Sequence, residues 1–238
     1  MARELRKELA DANWPQVMNM VSRDRNLAKT WASKSGQLTS GPHSSSESIQ
    51  GLPIHEAVSV GAPMDVIEAL IRANSDGLIQ RERVASRLPL HVACKRAPVD
   101  PKLINLLVKY SLEAAAEADK FGRIPLHYAL ENSCSQEVVK YLLRACPSAV
   151  KAQDQEGATP LHLACKFGHS TVVIGAILEL NPSSCIMVME DGKTALGCAF
   201  ESGAPNKNEV VNLLARHKRG FDTRFRVARQ PSSSRLLV

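Results

Sequence analysis

Four histidines, His55, His91, His127 and His162, recur at intervals of 36, 36 and 35 residues, and Cys94 and Cys165 each follow one of them by three positions. Histidine and cysteine are the side chains that ligate zinc or form a nucleophile–base pair. Regular spacing argues against both chemistries. If each histidine belongs to its own helical layer, successive layers lie about 8–10 Å apart. Ligands of one zinc must lie about 2.0–2.1 Å from it. His169 stands four residues after Cys165, yet a cysteine in a small apolar slot is a packing residue before it is a nucleophile. There is no Gly-x-Ser-x-Gly and no glycine-rich loop before Lys-Ser/Thr. The expectation is therefore no enzyme activity, no cofactor and no metal.

The elements around the histidines explain their period. Leu52-Pro53-Ile54-His55-Glu56-Ala57 is followed by Leu88-Pro89-Leu90-His91-Val92-Ala93-Cys94 and Ile124-Pro125-Leu126-His127-Tyr128-Ala129. Thr159-Pro160-Leu161-His162-Leu163-Ala164-Cys165 and the degenerate Thr194-Ala195-Leu196-Gly197-Cys198-Ala199 complete the series. Pro53, Pro89, Pro125 and Pro160 suit the first turn of a short helix, where the missing N–H costs nothing. A second apolar pattern follows each: Val66-Ile67 with Leu70-Ile71, Ile104 with Leu107-Val108, Val138-Val139 with Leu142-Leu143, Val172-Val173 with Ala176-Ile177, and Val210-Val211 with Leu214. That spacing makes one helical stripe per unit. One unit cannot cover its own stripe, but stacked neighbours can. Before the motif, Gly122, Gly157 and Gly192 stand where a hairpin needs φ > 0. Gln50 and Ser86 replace glycine in the first two units, which predicts a differently shaped turn across residues 81–87.

This Thr-Pro-Leu-His-x-Ala series resembles the ankyrin repeat, over residues 52–217. The resemblance implies an all-α fold: an α-solenoid of stacked helix-turn-helix repeats with short β-turn hairpin tips. It also implies that His55, His91, His127 and His162 hydrogen-bond the turn backbone and the neighbouring unit. Thr159 can supply the family's usual hydroxyl partner, whereas Leu52, Leu88 and Ile124 cannot. The links Cys146-Pro147-Ser148 and Asn181-Pro182-Ser183 depart from the family's Gly-Ala, and the proline there stops the helix. The expected organisation is an N-terminal helical cap over 1–31 and a Ser-rich flexible linker over 32–50. A repeat domain follows over 51–217, with repeats near 51–86, 87–122, 123–157, 158–192 and 193–217, and then a basic disordered tail over 218–238. The cap reads either as a decayed repeat or as a separate helical arm.

The formal charge is +6, of which +5 falls in residues 218–238, so the repeats themselves are nearly neutral. That weakens a nucleic-acid or membrane role for them. Six cysteines without a Cys-x-x-Cys pair, a mixed-charge start and no apolar run of about 20 residues point to the cytosol or nucleus rather than to secretion or a membrane span.

What remains is surface. In such a stack the hairpin tips and the outward side of each first helix form a long concave face. The residues assigned to it are Val92, Lys95, Arg96, Lys120, Phe121, Arg123, Tyr128, Glu131, Asn132, Leu163, Lys166 and Phe167, with Glu56, Val60, Glu156, Asp191, Lys193 and Glu201 at its margins. Aromatic and Arg side chains among charges suit a protein or peptide partner, in particular an acidic one. Phe167 either faces that partner or packs on the next helix. The alternatives are nucleic-acid or acidic-membrane binding through the tail, and a regulatory subunit of an enzyme complex.

Overall fold

The computed structural model describes residues 1–30 and 50–228, without the side chains of 220–228. Trp31, most of the Ser-rich linker and residues 229–238 of the tail lie outside the described residues. The described chain is all-α, apart from a single bridge between Val188 and Thr194. It groups into two compact units, Met1–Ala149 and Val150–Val238.

The first unit holds α1 (Ala2–Ala10), α2 (Trp14–Arg23), α3 (Pro53–Val60), α4 (Met64–Ala73), α5 (Pro89–Lys95), α6 (Pro101–Tyr110), α7 (Pro125–Glu131) and α8 (Gln136–Ala145). The first helices stack in order, α1 on α3, α3 on α5 and α5 on α7, while α2 packs on α4 and α6 on α8. The second unit holds α9 (Pro160–Lys166), α10 (Thr171–Leu180), α11 (Ala195–Glu201) and α12 (Lys207–Ala228), with α9 on α11 and α10 on α12.

Each second helix turns one stripe to the core, as in Val66, Ile67, Leu70 and Ile71 of α4, or Val138, Val139, Leu142 and Leu143 of α8. Burying one such Leu or Ile contributes about 1.5–3 kcal/mol. In α10 the buried set is Val173, Ile174, Ile177 and Leu178, and Val172, assigned to the stripe from sequence, is 50 % exposed. That helix is apolar on nearly every side, so its periodicity carries no phase.

Every second helix in residues 1–186 ends in the same way. One residue adopts φ −140 to −152 and ψ 83 to 97: Asp24, Asn74, Ser111, Cys146 and Asn181. A 3₁₀ turn follows and buries two small or apolar residues, Leu27-Ala28, Gly77-Leu78, Ala114-Ala115, Ala149-Val150 and Ser184-Cys185. Pro147 and Pro182 thus open a 3₁₀ turn rather than merely ending a helix. α1, α2 and their 3₁₀ turn share this helix ending and this stacking with the units that follow, without the Pro-Leu-His signature. At the other end, residues 218–228 are helical rather than disordered, since α12 runs to Ala228. No proline interrupts it before Pro231, and Gly220 alone costs only about 1 kcal/mol.

Candidate docking surface

The hairpins carry the exposed side chains, so their construction comes first. Asp119 anchors one of them: its Oδ1 accepts from the N–H groups of Phe121 (2.8 Å) and Arg123 (3.0 Å), and Gly122 closes the turn at φ +74. Asp154 does the same for Glu156 (3.0 Å) and Ala158 (2.9 Å), with Gly157 at φ +74. In the hairpin that lacks glycine, Glu82 replaces the aspartate. Its longer side chain accepts from Val84 (2.7 Å) and Ala85 (2.6 Å), the loop closes from Glu82 to Arg87, one residue longer, and Ser86 takes the left-handed position at φ +56. Backbone bonds then link neighbouring tips: Arg83 N–H to Gln50 O (2.9 Å), Lys120 N–H to Ala85 O (3.0 Å) and Glu190 N–H to Glu156 O (2.9 Å).

The histidines stand behind these hairpins. Nδ1 of His55, His91, His127 and His162 accepts the backbone N–H of Leu52, Leu88, Ile124 and Thr159 at 3.1–3.2 Å. Nε2 donates forward, from His55 to Gln80 O (3.0 Å), His91 to Arg123 O (3.1 Å) and His162 to Met187 O (3.1 Å). For these three, only a neutral ring protonated at Nε2 makes both bonds. Burial pushes His55 and His91 down to about 4, and His162 down as well. Thr159 Oγ1 adds a contact at 2.8 Å to His162, whereas Leu52, Leu88 and Ile124, in the same place in the other three units, carry no hydroxyl. These rings are closed to a metal, and among the described residues no group of three His, Cys, Asp or Glu is placed to hold one. Burial likewise pushes the Cys94 and Cys165 thiols up and Cys134 up to about 12, which leaves little thiolate for attack.

The first helices expose less than their sequence suggested. Glu56, Val92, Tyr128 and Leu163 occupy one slot, and all four are buried. Each first helix of the stack is flanked by hairpin, second helix and neighbours, so this slot closes. Tyr128 instead completes a polar cluster. Its hydroxyl donates to Asp119 Oδ2 (2.6 Å) and accepts from Arg87 Nε (3.3 Å), and the Arg87 and Arg123 guanidiniums lie 5.6 and 5.8 Å from its ring centroid. Burial and the bond to Asp119 push the phenol up to about 12. Glu56 forms a buried ion pair with Arg6 of α1, which also donates to Thr30 O (2.7 Å) and Gly51 O (2.9 Å). Burial pushes the Glu56 carboxyl up to about 7 against the pull of Arg6.

What stays on the surface lies at the tips and helix ends. Lys95, Arg96, Glu131 and Asn132 are half-buried at the ends of α5 and α7, and Asn132 Nδ2 donates to Cys94 O (3.2 Å). Lys166 is exposed, its ammonium 5.6 Å above the half-buried ring of Phe167. Lys120 is exposed, donates to Val84 O and lies 5.0 Å over the Phe121 ring. Arg123 pairs with Glu131 at 3.0 Å. Phe121 is 38 % exposed and Val84 40 %. Arg81, Arg83 and Val84 fall outside the residues assigned from sequence. Hairpin register is the signal that finds them: Val84 and Phe121 both sit two residues after the anchoring acid, with Arg83 and Lys120 one residue after it. The matching positions in the second unit hold Glu156 and Asp191, with Gln155 and Glu190. Over hairpin and first helix together, residues 81–96 and 117–132 carry seven basic and four acidic side chains, net +3. Residues 154–167 and 189–202 carry two and five, net −3.

No helix of the described residues is long and apolar enough to cross a membrane. The family model for ankyrin repeats, in three copies, matches residues 54–154 and 136–226. No curated protein matches the sequence.

Proposed function

The chain belongs to the ankyrin repeat family, whose members generally serve as protein–protein interaction modules, and from that premise we propose that it works as a non-enzymatic scaffold or adaptor in the cytosol or nucleus. Its docking surface is the hairpin tips and first-helix ends of the Met1–Ala149 unit. The observation that supports this most is that Val84 and Phe121 stand exposed on neighbouring tips among Arg81, Arg83 and Lys120. Partially exposed apolar anchors rimmed by charge are the pattern of a protein interface. The neutral rings of His55, His91 and His162, bonded at both nitrogens, and the thiols of Cys94, Cys134 and Cys165, held protonated by burial, support a binding role over catalysis. The test is affinity capture from cell extract with the wild-type chain and with Arg83→Glu/Lys120→Glu/Phe121→Ala. With the circular dichroism unchanged, the variant should lose partners that the wild type retains. An unchanged set of partners would place docking elsewhere.

A further inference from the structure

We infer that the partner presented to these tips is an acidic extended segment carrying apolar residues about three positions apart. This rests on the docking surface proposed above. Val84 and Phe121 project from neighbouring hairpins joined by the Lys120 N–H to Ala85 O bond, so they stand one repeat layer, about 8–10 Å, apart. An extended polyproline-II segment has three residues per turn and advances about 3.1 Å per residue, so side chains at i and i+3 lie on one face about 9 Å apart and match that separation. The cations are placed around the two anchors: Arg81 and Arg83 beside Val84, Lys120 over the Phe121 ring, Arg123 at the base. The acids of this region are turned to other tasks. Glu82 and Asp119 are buried and cap the hairpin amides, and Glu117 and Glu131 pair with Arg81 and Arg123, so those two pairs cancel and the net +3 of residues 81–96 and 117–132 comes from the other cations against Glu82 and Asp119. Lys95 and Arg96 extend the positive field along α5. A segment with carboxylates on either side of its apolar residues meets both features. A basic segment is repelled within the screening length of about 8 Å at physiological ionic strength.

The experiment uses the full chain and fluorescence anisotropy with three short labelled peptides: one with Leu and Phe three apart among Glu, one with Lys for every Glu, and one with Glu throughout and no apolar residue. The first should bind at least about tenfold more tightly than either of the others and weaken as salt rises. Arg83→Glu/Lys120→Glu, and separately Val84→Ser/Phe121→Ser, should each reduce its affinity about tenfold, whereas Glu156→Lys/Glu190→Lys should leave it unchanged. The milder Arg83→Gln/Lys120→Gln variant covers any loss of folding in the charge reversal. Equal binding of the Lys peptide, or indifference to the tip substitutions, overturns the inference. Stronger binding to anionic vesicles or to single-stranded DNA than to the Glu-Leu-Phe peptide overturns it in favour of a polyanion surface. Concentration-dependent self-association abolished by Glu156→Lys/Glu190→Lys overturns it in favour of a second copy of the chain. Should cell partners be lost on tip substitution while no acidic peptide binds, docking stands and only the acidic class falls. Should partners be retained on every tip variant, docking itself falls.

Discussion

Two residues into each hairpin, the Met1–Ala149 unit carries Val84 and Phe121, and the Val150–Val238 unit carries Glu156 and Asp191. The backbones beneath are alike: a first-to-last hairpin bond, a left-handed residue near the end, and a side chain that caps the inner amides in three of the four. Folding therefore constrains the base of a hairpin and leaves its tip open to vary, and the two units have diverged there in charge and in apolarity. A second contrast lies in the first helices. In α7 the helix is closed around Leu126, His127 and Leu130, all buried. In α11 the same slots hold a half-exposed Leu196, Gly197, and Phe200 at 54 % exposure.

The largest effect that would sharpen this contrast lies at Arg6. Arg6→Ala leaves Glu56 buried without its partner and should destabilise the first unit by about 3–5 kcal/mol, read by chemical denaturation. If the loss is below about 1 kcal/mol, the N-terminal pair is not an integral repeat. Next, Leu126→Ala should cost about 2–5 kcal/mol through lost burial and a cavity, while Leu196→Ala in the equivalent slot of α11 should cost under about 1 kcal/mol. Equal losses would erase the difference between closed and open first helices.

Acid comes third. His55 and His91 titrate near 6.5 when unfolded and at about 4 when folded, so their contribution is complete above pH 6.5 and is lost as pH falls towards 4. Glu56, raised to about 7, works the other way, because its folded form takes up a proton first. Two groups against one leave a net loss on the order of 1–2 kcal/mol by pH 5. Thermal denaturation between pH 7 and 5 reads it, and a melting temperature that rises on acidification would contradict it. The smallest expected effect is on the tips themselves. Arg83→Glu/Lys120→Glu and Glu156→Lys/Glu190→Lys should each change stability by no more than about 0.5–1 kcal/mol. A larger loss would make the tips structural rather than free for binding.

The stack was legible because Pro-Leu-His fixes where each first helix starts and the stripes of α4 and α8 have a clear period. The likeness of the N-terminal helix pair to the units that follow was not, because the pair lacks that motif and shows the likeness only in its stacking and in its helix ending at Asp24. The docking surface was half legible. Lys120, Phe121 and Arg123 sit at tips where polarity reads directly. Val92, Tyr128 and Leu163 do not, because a helix buried on nearly every side offers no polar face to phase it. α10 misled for the same reason. Arg81, Arg83 and Val84 were hidden by a hairpin in which Glu82 and Ser86 replace the usual Asp and Gly and one residue is added.

The measurement that bears most directly on the docking surface is photo-cross-linking in cell extract from p-benzoylphenylalanine placed at Phe121, with the same probe at Asp191 as its counterpart in the other unit. The account predicts a discrete partner adduct from position 121 and none from position 191. An adduct from 191 alone, or equal adducts from both, would contradict it.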